Sequence, residues 1–273
     1  MVVPAVVQDI LQGNEIELTP TLNVKGYILG NPISEYDKCE SLRYKLANDM
    51  SFLPNELYKA AEISCNNDFK NFDVNNTKCS SYVQTMKQDI RLVGEAHVLE
   101  HNCFKSSRKK MYLNKKSVLV NAEFCRVQHY PFIESWADHE LVKKALHIQE
   151  GSIRHWNLCN PRLAYENDIE NTFDYHLNNS RHSLQVLIYN GDQDLVVPYM
   201  STLEWIKQLK IPVNDDWRPW FVDGQVVGYV TEFTSLPYRL IHTTIKGGGH
   251  TAAEYKPREC LAMLDRWLSP SPL

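Results

Sequence analysis

No stretch of this sequence approaches the roughly 20 consecutive apolar residues that a membrane-crossing helix requires. Neither charge sign dominates: 29 lysines and arginines stand against 33 aspartates and glutamates, a formal net charge of -4. That balance argues against a nucleic-acid partner or an anionic membrane surface, both of which ask for a basic face. Zinc-type Cys-x-x-Cys spacing is absent from the cysteines at 39, 65, 79, 103, 125, 159 and 260. His242 and His250 have no acidic or cysteine partner at ligand spacing either, so neither metal nor cofactor is expected. The opening Met1 to Val7 is apolar but lacks the basic start of a secretory leader, and charge follows at Asp9. Internal repeats and low-complexity tracts are also missing. What the chain has is 273 residues, 43% hydrophobic and 23% charged, which suits one large soluble domain or two small ones.

Val3, Val6, Val7, Ile10 and Leu11 recur at helical spacing, and Gly13-Asn14 supplies a stop. Leu22 to Leu29 reads as a strand ended by Gly30-Asn31-Pro32. From Ser34 to about His147 the pattern changes to helices and loops. Within it, Pro54 opens a helix through Leu57, Ala60, Ala61 and Ile63, and the basic run Lys105 to Lys116 reads as a solvated loop. Trp136 to Leu146 returns to helical periodicity. Leu184 to Asn190 is a buried-strand run, Tyr199 to Leu209 a helix, and Tyr238 to Ile245 the next strand. Pro257 opens a final helix with Leu261, Leu264, Trp267 and Leu268 on one face. This alternation predicts an α/β fold, a parallel-rich sheet flanked by helices. The expected core comprises 1–33 and 148–273, with an inserted helical cap over 34–147.

Two segments carry chemistry. Gly191-Asp192-Gln193-Asp194 closes one strand and Gly247-Gly248-Gly249-His250 closes the next. In parallel sheets functional groups gather at the carboxyl ends of strands. An aspartate there can accept from an imidazole Nδ1 and fix its tautomer, and a histidine on a glycine loop can reach a substrate as a general base. Alone, Asp194 reads as a turn or cap residue and His250 as a surface side chain. Paired on successive strand ends, with the carboxylate first, they read as two members of a Ser-Asp-His triad. Asp192 is expected to be a turn former. The Gly-x-Ser-x-Gly elbow that would supply the nucleophile upstream of Asp194 is absent. Val222-Asp223-Gly224-Gln225-Val226 marks a hairpin that either edges the sheet or lines a pocket, the edge being the simpler reading.

Together, Lys25-Gly26-Tyr27-Ile28-Leu29-Gly30-Asn31-Pro32, the Gly-Asp-x-Asp at 191–194, the Trp217 to Tyr229 hairpin and Lys246-Gly247-Gly248-Gly249-His250-Thr251-Ala252 resemble the plant serine carboxypeptidase-like family, over essentially the whole chain. The resemblance implies an α/β-hydrolase fold, Asp194 and His250 as triad members, and disulfides pairing Cys65 with Cys79 and Cys103 with Cys125. Cys159 would match a cysteine whose partner lies far upstream. It also implies a peptide or small acyl-ester substrate. Asp215-Asp216-Trp217-Arg218-Pro219-Trp220 is closer to the acyltransferase-like branch than to the peptidases. In that family the serine elbow runs into a segment ending Val-Pro. Val2-Val3-Pro4 here predicts an N-terminal truncation just after the nucleophile, with the first strands missing. The glycosylation sequons at Asn75 and Asn178, with the cysteines, point to a secretory-pathway protein, vacuolar or extracellular. The alternative expectation is a catalytically inactive fragment or pseudoenzyme that acts, if at all, by binding.

Overall fold

The computed structural model describes residues 2–34, 36–100, 130–158, 160, 163–166, 168–169, 171–269 and 271–273. Cys103, Cys125, Cys159 and the basic run 105–116 lie outside the described residues. The chain forms two compact units, 1–100 with 169–273, and 101–168. The second unit carries α5 (Tyr130–Ala137) and α6 (Glu140–Ala145), where the Asp138 carboxylate accepts from the Trp156 amide at 2.9 Å.

The first unit opens with α1 (Val2–Glu15), β1 (Gly26–Gly30), α2 (Tyr36–Asp49), α3 (Asn55–Ser64) and α4 (Thr77–Ile90). After residue 168 come α7 (Phe173–Asn179), β2 (Gln185–Gly191), α8 (Tyr199–Gln208), β3 (Val213–Val222), β4 (Gln225–Ser235), β5 (Tyr238–Ile245), α9 (Ala252–Tyr255) and α10 (Pro257–Leu268). The sheet runs β1-β2-β5-β4-β3. It is parallel from β1 through β2 to β5 and antiparallel across β4 and β3. Alternation along each strand sorts side chains to two faces. Val186, Ile188 and Leu240 pack with Val7 of α1 and Trp205 and Ile206 of α8, while Leu187, Ile241 and Ile245 pack with Cys260 and Met263 of α10. A third cluster joins α2, α3 and α4 through Tyr44, Ala61, Val83 and Met86, and reaches Leu195 after β2. The Cys65–Cys79 disulfide ties the end of α3 to the first turn of α4, as expected.

Three local expectations change. The first strand starts at Gly26 rather than Leu22, because the Asn14 side chain takes both backbone groups of Leu22, donating to its carbonyl at 2.7 Å and accepting from its amide at 3.0 Å. The last helix buries Cys260 and Met263, whereas Leu261 and Leu268 are exposed. The apolar stripe is therefore narrower than the leucines suggest. Pro54 caps α3 from outside instead of opening it. The hairpin forms as read, with Asp223 and Gly224 both at positive φ, and β3 edges the sheet. Arg218 anchors it by donating to Asp215 at 2.6 Å and to the Leu273 carbonyl at 2.7 Å.

Candidate active site

The site is a product of register. β2 and β5 are parallel neighbours in which Gly191 stands opposite Ile245, so the turns that leave them run side by side. Asp192 donates its amide to the Ile245 carbonyl at 3.2 Å, and Gln193 donates to Gly248 at 2.9 Å. A Cβ at Gly191 would lie 2.3 Å from the Gly249 oxygen and 2.4 Å from that of Gly248. Only glycine allows the two turns to approach so closely.

Asp194 is fully buried. Its Oδ2 faces His250 Nδ1 at 2.9 Å and accepts from Asn31 Nδ2 at 2.6 Å, while Oδ1 accepts from the Val196 amide at 2.7 Å. Three donors thus satisfy a carboxylate that would otherwise be costly to bury. Because a carboxylate only accepts, His250 donates through Nδ1, which leaves Nε2 as the ring nitrogen that Asp194 does not engage. The His250 side chain is 37% exposed, so that nitrogen belongs to a ring with access to solvent. An imidazole oriented through Nδ1 by a buried aspartate is the arrangement that takes a proton from a nucleophile and returns it to a leaving group. The structure therefore brings together the two residues singled out from the sequence, 56 positions apart.

Other parts of the site carried little sequence signal. Asn31, read only as part of a strand stop, sits at positive φ directly after β1. It donates its amide to Tyr189 at 2.7 Å and its side chain to Asp194. A strap at 94–98 binds both turns: Glu95 O accepts from Leu195 N at 2.8 Å, Ala96 O from His250 N at 2.6 Å, and Val98 N donates to Gln193 O at 3.0 Å. Arg43 of α2 donates Nε to the Leu195 carbonyl at 2.9 Å, which braces the Asp194 turn from the helical side. Asp192 does more than form a turn. Its Oδ1 accepts from the Gly247 amide at 2.7 Å, linking the two loops, and burial raises its pKa above the usual carboxylate range.

His242 lies on β5 but is no part of this group. It is fully buried, it contacts Asn190 Oδ1 through Nε2 at 3.1 Å, and burial lowers its pKa to about 3, so the ring stays neutral. Asn75 is exposed, as a glycan acceptor requires, whereas Asn178 is half-buried on α7 and donates to Gln8 at 3.1 Å. A cleft of about 720 Å³ at the α2–α3 junction, lined by Asn48, Phe52, Leu53, Pro54, Asn55 and Asp89, is open to solvent and contains neither Asp194 nor His250.

The serine carboxypeptidase family, peptidase S10, matches residues 1–270. Serine carboxypeptidase-like 10 of Arabidopsis thaliana is 36% identical over 273 residues, covering 100% of this chain and 59% of that protein. Serine carboxypeptidase-like 11 of the same plant is 38% identical over 276 residues, again covering 100% of this chain and 59% of the relative. The fold is similar to that of Kex1(delta)p, a prohormone-processing carboxypeptidase from Saccharomyces cerevisiae, with a TM-score of 0.67 at 15% identity over 98% of this chain and 59% of that one. The chain thus spans about 59% of the length of these relatives.

Proposed function

This chain belongs to the serine carboxypeptidase family, and from that membership and the Asp194–His250 pair we propose that it supplies the acid-base half of a Ser-His-Asp acyl-transfer site. His250 accepts the proton of a serine hydroxyl through Nε2 as the serine attacks an ester or amide carbonyl. It then returns that proton to the departing alcohol or amine, and Asp194 stabilises the imidazolium between the two steps. The sequence has no Gly-x-Ser-x-Gly segment, so in this reading the serine belongs to a part of the whole protein outside these 273 residues. The carrying observation is the 2.9 Å Nδ1–Oδ2 bond between adjacent strand ends.

The substrate is a small acyl ester or a peptide. The Asp215 to Trp220 segment favours transfer to an alcohol or amine over transfer to water. The Cys65–Cys79 bond suits an oxidising compartment, and the secretory pathway, vacuolar or extracellular, is the corresponding location. No helix among the described residues is long and apolar enough to cross a membrane.

The test uses the whole protein isolated from its source. Intact mass and its N-terminal peptide define the chain, and a fluorophosphonate probe reports an activated serine. Labelling that disappears in the Asp194→Asn variant is expected, with turnover lowered about 10⁴-fold, since the wrong tautomer is then stabilised. Turnover of a phenolic glucose ester in preference to a blocked dipeptide supports the acyltransferase branch. A folded whole protein without labelling overturns the reading.

A further inference from the structure

The loop that carries His250 is three consecutive glycines, the most expensive sequence to hold in a single conformation. Two side chains hold its first glycine, one at each of the peptide units that flank it. The Gly247 N–H donates to Asp192 Oδ1 at 2.7 Å, and the Gly247 carbonyl faces His97 Nε2 at 3.1 Å. His97 is buried, 8% exposed, in the strap between α4 and the second unit. Its own second residue on fixes the ring: the Leu99 amide donates to Nδ1 at 3.2 Å. A carbonyl can only accept and an amide N–H only donate, so His97 is the neutral tautomer with its hydrogen on Nε2.

Packing reinforces the same contact. The imidazole lies against the Tyr255 ring with centroids 4.2 Å apart, and the Tyr255 hydroxyl donates to Glu100 at 3.0 Å. A Cβ on Gly249 would stand 2.8 Å from both Cβ and Cδ2 of His97, so the loop lies flush on this ring. One residue further, His250 donates its amide to Ala96, the neighbour of His97. The glycine loop that presents His250 to Asp194 is therefore seated on a second imidazole, which the acid-base chemistry does not use.

We propose that His97 is a positioning residue that fixes the glycine loop through Nε2–H···O=C of Gly247 and thereby holds His250 within hydrogen-bonding distance of Asp194. The inference rests on the reading of Asp194 and His250 as the catalytic pair.

Two substitutions divide the two ring nitrogens. His97→Asn keeps an acceptor for the Leu99 amide but is too short to reach Gly247. His97→Gln places an amide donor at the reach of Nε2 and gives up the Leu99 bond. With histidine labelled by nitrogen-15, the downfield Nδ1 proton of His250 reports its bond to Asp194. Expected is a retained signal in His97→Gln and a lost or broadened one in His97→Asn. In the whole enzyme, His97→Asn lowers kcat by up to about 100-fold with little change in KM. Thermal melts of both variants accompany the spectra, because a purely structural role destabilises both without separating their His250 signals. An unchanged His250 signal in a folded His97→Asn variant overturns the proposal. So does a wild-type His97 that carries its proton on Nδ1, a measurement that needs no variant to fold. Failure of the catalytic reading shows separately, as wild-type protein that gives the His250 signal and turns over no ester.

Discussion

At the residue scale the site depends on how a buried carboxylate is satisfied. Asp194 Oδ2 is shared between His250 and Asn31, and the Asn31 bond, at 2.6 Å, is the shorter of the two. Asn31→Ala removes one donor from a carboxylate with no access to water, which costs about 1–3 kcal/mol of stability. A denaturant titration of the variant checks that loss, and a shift in midpoint with unchanged slope assigns it to the native contact. Asn31 could not be recognised in the sequence as a site residue. It reads there as punctuation after a strand, and its partner is 163 residues away. Asp194 and His250 could be recognised, because each stands in a glycine-bearing turn at the end of an apolar run, and those signals are local.

At the scale of single elements, the glycine loop after β5 and the buried interior of the fold make opposite demands. The loop needs closeness: a Cβ at Gly249 would come within 2.4 Å of the Ala96 oxygen, which also accepts the His250 amide. Gly249→Ala is therefore expected to push the loop from the strap and reduce turnover by about 100-fold, with a lower melting temperature. Kinetics and a thermal melt on the same preparation check both. The interior needs neutrality. His242 on β5 and His176 on α7 each have a pKa lowered by burial from the ordinary 6.5 to about 3. The unfolded chain takes up these protons near pH 6.5, and the folded chain does not until about pH 3. Their contribution to stability is thus complete above about pH 6.5 and is lost progressively as pH falls. The expected outcome is a melting temperature that drops steadily between about pH 7 and pH 4, less steeply in His242→Phe. The last helix shows where element-level pattern misleads. Leu261 and Leu268 suggested its buried face, yet Cys260 and Met263 are the residues that pack on the sheet side chains Leu187, Ile241 and Ile245.

At the scale of the molecule, the first unit combines a five-stranded sheet covered on both faces with a helical cluster stapled by Cys65–Cys79. The bond closes a separation of 14 residues. Loss of such a loop constraint in Cys79→Ser is expected to destabilise the protein by about 3 kcal/mol, seen as a lower denaturant midpoint than that of the oxidised wild type. The sequence by itself determined the α/β order of elements, the strand-end placement of Asp194 and His250, the Asp223-Gly224 hairpin and the local disulfide. Each of these is written in neighbouring residues, as periodicity, turn chemistry or a short loop. The tertiary structure alone decided that β2 and β5 are adjacent and in register, so that the carboxylate meets the imidazole. It also decided that Asn31 supplies the buried carboxylate with a donor and that the strap at 94–98, with His97, seats the glycine loop. Those contacts span from 56 to 163 positions of sequence, and no local pattern encodes a partner that only chain folding brings within hydrogen-bonding distance.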